Sequence, residues 1–206
     1  VGVEKTPVYP VANFGSQMVP LYTILALWVG SVLMVVSMRS DVTDFNVAEG
    51  LPEGHPLRAT LTAKPVGLAA GYLGRYLIFG TIALAQATLV GLGDLYFLKV
   101  QHAHPLQFMG TLWLTAVVFS FLLYTLIATF GNAGKALGVL LLVLQISGAG
   151  GAFPLAILPS FYSSISPFLP ATHAITALRA SIAGYAGHEY ADAMWFLASF
   201  ILFAAF

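Results

Sequence analysis

Apolar residues fall in long runs along this chain, and the polar positions are gathered between them. The first run, MVPLYTILALWVGSVLMVVSM over 18–38, is roughly 21 residues, about 31 Å at the helical rise and close to the thickness of a bilayer's hydrocarbon core. Pro20 suits the first turn of such a helix, and Arg39 and Asp41 end it. Further runs predict spanning helices over about 75–97, 108–130, 135–151 and 192–206, the last cut short by the end of the sequence. The segment 39–74 carries charges together with Pro52, Pro56 and Pro65, and reads as a polar connection.

One run is broken without becoming polar. Leu140 to Pro159 reads LLLVLQISGAGGAFPLAILP, and the chain continues apolar through Pro159, Pro167 and Pro170. The prolines exclude a single long helix. Two short helices are expected instead, one over about 154–162 and one over about 171–183, with Thr172 capping the start of the second and Gly184 its end. In the second, Ile175, Leu178 and Ile182 share a face, and Arg179 lies beside them within reach of the water interface. An ordinary aqueous loop after Gly151 is the alternative, but it has no use for Phe153, Leu155, Ile157, Leu158, Phe161, Phe168 and Leu169. The segment 153–183 therefore reads as a re-entrant helical hairpin, with Gly148, Gly150 and Gly151 as its bend and Pro154 opening its first helix.

Composition agrees with a lipid-embedded chain. Of 206 residues, 59% are hydrophobic and 8% charged, against roughly a quarter charged in soluble domains. The mean hydropathy is +0.88. Eight Lys and Arg balance eight Asp and Glu, and no basic stripe offers a nucleic-acid surface. Cysteine is absent, which excludes disulfide and thiol chemistry in this sequence. The opening VGVEKTPVYP is not a signal peptide, and the closing WFLASFILFAAF stops inside an apolar run, so the sequence reads as part of a longer protein.

Orientation follows from Lys and Arg in the connections. Arg39, Arg58, Lys64, Arg75 and Lys135 fall on one side of the alternating spans, and Lys5, Lys99 and Arg179 on the other. The first group is assigned to the cytoplasm, which puts the broken segment at the outer face. The turn of Gly131, Asn132, Gly134 and Lys135 is then cytoplasmic, its glycines allowing a tight reversal between antiparallel helices. Ala26 and Gly30 in the first span, and Ala83, Ala87 and Gly91 in the second, are spaced for close helix contact.

Several segments in this order resemble the C-terminal membrane domain of the phage infection protein (YhgE/Pip) family. They are YPVANFGSQMVPLYTILALWVGSVLM, ALAQATLVGLGDLYFL, and the stretch from YTLIATFGNAGKA through LVLQISGAGGAFP and PFLP to THAITALR. The resemblance covers nearly the whole chain except 39–74. It implies a longer protein with one further N-terminal membrane helix and a large extracellular domain, set in a Gram-positive plasma membrane. It also implies kinship with type 2 ABC exporter membrane subunits. The expected fold is thus all-α and integral to the membrane, with five spanning helices and an outer-face re-entrant hairpin. A phage and components of type VII secretion are partners the resemblance implies.

Candidate chemistry is sparse. FGNAGKA lacks the early glycine and the Ser or Thr of a phosphate loop, because Thr129 and Ala136 stand there, so ATP would have to be handled by a separate ATPase. His102, His104 and Asp94 are too scattered for a metal site, and His188 and Glu189 are read the same way. Asp94 is expected at the interface, near the outer end of the second span. No catalytic constellation, cofactor site or enzyme activity is expected. Gln86 and Gln145 lie inside apolar spans and must find partners: they either line a substrate pathway or hydrogen-bond to neighbouring helices, and the second reading is preferred. The expected function is a permease-like component of transport or secretion, dimeric by default. A non-transporting dimeric anchor for an extracellular receptor domain is the alternative.

Overall fold

The structure is a computed structural model that describes residues 11, 14–38, 49–63, 67–151, 157–184 and 188–205. Phe153 and Pro154, and with them the start of the expected first hairpin helix, lie outside the described residues. Among the described residues the fold is all-helical. In chain order the helices are α1 (Phe14–Ser37), α2 (Pro56–Ala63), α3 (Leu68–Leu92), α4 (Pro105–Phe130), α5 (Asn132–Gly148), α6 (Ser160–Ile165), α7 (Pro170–Ala183) and α8 (His188–Ala205). A π-helical turn, Gly93–Phe97, continues α3, and a 3₁₀ turn, Ser166–Phe168, links α6 to α7.

Among the described residues, three segments are long and apolar enough to cross a membrane: Phe14–Ser37, Ala69–Phe97 and Pro105–Phe130. Helix α4 is central and packs against α1, α3, α5, α7 and α8. Its Phe108, Leu112, Phe119 and Leu123 are fully buried, and Phe119 meets Trp28 of α1 edge-on at 4.7 Å between ring centroids. Helix α3 is peripheral, with Leu73, Leu77, Ile78, Ile82 and Leu89 exposed. A contiguous apolar exterior of this kind has no stable place in water and fits hydrocarbon.

The polar connection is shorter than the sequence predicts. Helix α3 starts at Leu68, not near Arg75, and α2 lies inside the expected loop. Arg75 is accommodated because its Nε donates to the Gly71 carbonyl 3.0 Å away, back toward the start of the helix. Tyr72 and Tyr76 extend the contact with α4: the Tyr72 hydroxyl lies 2.6 Å from Thr125 Oγ1, and that of Tyr76 donates to Val117 O at 3.1 Å. Pro20 likewise is not in a first turn. Helix α1 begins at Phe14, so Pro20 sits inside the helix, buried by its neighbours.

Helices α4 and α5 reverse through Gly131, whose φ of 56° lies in the region that favours glycine. Gly134 is required for a different reason. A Cβ there would overlap the carbonyl oxygen of Leu126 and come within 2.9 Å of Ile127 Cα, so only hydrogen lets α5 lie this close to α4.

Candidate functional site

Helix α5 has 17 residues and α4 has 26. At the helical rise this is about 25 Å against about 39 Å, so α5 stops well short of its antiparallel neighbour. The broken segment occupies that gap. Gly148 ends α5, and its missing Cβ would lie 2.6 Å from Leu169 Cδ1. At Gly151 the same position would lie 2.6 Å from Leu21 Cδ1 and 3.0 Å from Ile175 Cδ1, and Gly150 has a φ of 64°. The glycines therefore serve both the bend and close approach to α1 and α7.

Two side chains tie the segment down. Gln145, 4% exposed, accepts the N–H of Ala171 at 2.9 Å through Oε1, thereby satisfying one of the unpaired donors at the start of α7. Arg179 Nη2 donates to the carbonyls of Gly150 (3.2 Å) and Gly151 (3.0 Å). The guanidinium is thus spent on the bend itself rather than only reaching for the interface. Thr172 does not cap α7 as expected. The N-cap is Leu169, with no side-chain bond; Thr172 Oγ1 instead lies 3.2 Å from Ser166 Oγ. Pro170 occupies the first turn of α7, and the Pro167 carbonyl lies 2.9 Å from His173 Nε2. Among the described residues the first short helix is Ser160–Ile165 with its 3₁₀ extension, and the expected start at 154 lies outside them. Gly184 closes α7 at φ 88°, and Ile175, Leu178 and Ile182 are fully buried on one face.

The C-terminal end of α7 lies against the connection between α3 and α4, where Ser181 O accepts the N–H of His104 at 3.2 Å. The start of α1 is at the same end, with Ser16 Oγ accepting the Gln101 N–H at 3.2 Å. Asp94 is here too, and it is covered by α1 rather than open to solvent. It is 6% exposed and accepts a 2.7 Å hydrogen bond from Thr23 Oγ1, which joins the π-helical turn to α1. Sequence position placed Asp94 near a helix end but could not show that α1 covers it. His102 is turned into its own loop, Nδ1 lying 2.8 Å from Val100 O. Among the described residues no group of three His, Asp or Glu is placed to hold a metal ion.

Below the tip of the broken segment, α1, α4, α5 and α8 leave a cleft of about 410 Å³. Phe168, Leu169 and Pro170 form its wall at the tip, Gln145 and Trp28 stand beside them, and Phe200 and Phe203 close the side given by α8. Trp28 was missed from sequence. Its ring fills the core at 1% exposure, and its Nε1 donates to the Gly138 carbonyl at 3.3 Å, a bond made accessible by the bare backbone of that glycine.

Gln86 is apart from this cleft. Its Nε2 donates to Ala26 O on α1 at 3.1 Å, and its amide fills the space beside Gly30. Gly91 faces Met109 and Leu112 of α4 rather than α1. Replacing Gln86 by Leu is expected to lower stability in detergent by about 0.6–1.7 kcal/mol. Gly30→Ala displaces the same amide, so the double variant should lose little beyond the larger single effect. Thermal unfolding of the four proteins measures this.

Among the described residues, an all-helical bundle with three helices of membrane-crossing length, and a shorter apolar helix followed by a folded-back segment, is the class that these features define. Over 182 residues the chain is 25% identical to YhgE of Bacillus subtilis (strain 168), a protein of uncharacterized function, and this similarity supports a relation to the YhgE family. The match covers 88% of this chain and 21% of that protein, so the chain spans about a fifth of its relative's length. No protein-family model matches the chain, and no solved structure does.

Proposed function

We propose that this chain is the membrane domain of a YhgE-like protein in a bacterial cell membrane. There it would act as a permease-like component of transport or secretion, and any ATP-driven step falls to a separate ATPase. The observation that carries the reading is the folded-back segment. Helix α5 ends early, Gln145 and Arg179 fasten the turn, and the tip walls a cleft within the bundle. A folded-back element docked beside a cleft through side-chain bonds to its bend is the kind of part that can take two positions. On this reading the segment re-enters from the outer face, the fold is that of type 2 ABC exporter membrane subunits, and the protein works as a dimer.

The test uses the full-length protein. Deleting its gene is expected to change export of at least one cell-envelope or secreted component. Restoring the gene with Arg179→Ala should fail to correct the defect although the protein reaches the membrane. An unrelated dimeric anchor that restores function in place of the spans would favour a scaffold for an extracellular receptor domain and overturn the permease reading.

A further inference from the structure

The cleft has a polar feature at its inner end that the packing leaves available. Gln145 is 4% exposed and its Oε1 accepts the N–H of Ala171, which leaves its Nε2 at the cleft wall, available to an occupant. An amide donor that opens on a mostly apolar cleft favours an occupant with a matching oxygen. Thr125, the neighbouring polar group, is already paired: its hydroxyl meets Tyr72 and donates to Phe121 O at 2.9 Å. Thr129, which is exposed, also lines the cleft, and the remaining walls are aliphatic and aromatic.

Shape narrows the occupant further. Water needs two to four polar partners, and most of this lining is apolar. One turn of helix, about 10 Å across and 5.4 Å long, already has roughly 420 Å³, so a further helix could insert only side chains. A slender, flexible apolar chain fits a cleft of about 410 Å³. The rim supports entry from lipid, since Phe168 and Phe203 are 76% and 80% exposed and present rings, not charges, at the mouth.

We propose that the cleft binds one fatty acyl chain, with its carbonyl oxygen accepting a hydrogen bond from Gln145 Nε2. The chain lies between α4 and α8 against Leu122, Leu126 and Phe200, and its carbonyl end stops under Pro170. Binding of this kind stands whether or not the protein translocates anything. Because Gln145 also holds Ala171, an occupant engages the residue that fastens the folded-back segment.

The full-length protein in nanodiscs would be irradiated with a diazirine-bearing palmitic acid, and adducts mapped by mass spectrometry. Saturable labelling is expected within 122–129 and 200–204, together with non-saturable labelling of lipid-facing α3 residues such as Leu77 and Leu89. Gln145→Leu should raise the half-saturating concentration roughly three- to tenfold, the size of one lost hydrogen bond. Ala204→Phe, which fills the cleft far from the segment's fastening bonds, should abolish the saturable component and leave α3 labelling unchanged. Competition separates the source: protection by unlabelled palmitate identifies a free acid, and protection by phosphatidylglycerol alone identifies a bilayer lipid. Labelling of the cleft that never saturates, or that survives Ala204→Phe, overturns the proposal.

Discussion

Gly134→Val is expected to be the most destabilising single change in the described part of the chain. The added Cβ meets the carbonyl oxygen of Leu126 and the Cα of Ile127, which are backbone atoms of the last turns of α4 and cannot rotate away as a side chain can. Relief requires α5 to move off α4, which would disturb the bond from Trp28 Nε1 to Gly138 O and the buried contact of Gly138 with Leu123. Overpacking of this sort costs about 3 kcal/mol or more when the obstacle is main chain. Gly74→Ala is the control, because an added Cβ there has nothing within 4 Å. Thermal unfolding of the purified protein should show a large drop for Gly134→Val and almost none for Gly74→Ala. Equal effects at the two sites would mean that α4 and α5 are not in this close contact.

Arg179→Met should release the bend of the broken segment while keeping the bulk of the side chain. It strips a charged donor from the Gly150 and Gly151 carbonyls, which are then left without it beside an apolar core. Hydrogen bonds to charged groups contribute about 1.5–3 kcal/mol each, and two bonds from one nitrogen sum to less than twice that. The expected loss is therefore about 2–4 kcal/mol of docking energy, confined to this segment. A cysteine introduced at Ser147 should become several-fold more reactive toward maleimide in Arg179→Met, and Arg179→Lys should restore protection only in part. Unchanged reactivity would show that Gln145 and the apolar contacts of Leu169 and Ile175 suffice to hold the bend.

The helices themselves were legible because lipid imposes a simple rule. An apolar run near the bilayer thickness must be helical to satisfy its own backbone, and the run over 18–38 accordingly lies in α1 and that over 108–130 in α4. Boundaries were less legible. Helix α3 begins at Leu68 because Arg75 and Tyr72 find partners at Gly71 and Thr125, and charge alone had marked Arg75 as a helix end. The glycine cluster after Ser147 was readable as a break, since helix-breaking residues without polarity have few other uses in such a chain.

Partners were not legible at all. That Gln86 and Gln145 needed acceptors or donors follows from their burial in apolar runs, but Ala26 and Ala171 lie 60 and 26 residues away and carry only backbone groups. That Asp94 is buried was not legible either, because the helix that covers it is α1, whose Thr23 is 71 residues distant. By itself the sequence determined an all-helical, lipid-compatible chain with one broken segment, because local hydrophobicity and the backbone's need for hydrogen bonds decide those features residue by residue. Only the tertiary structure decided what fastens the turn and that a cleft lies beneath it, because these depend on which distant backbone atoms come within a few ångströms.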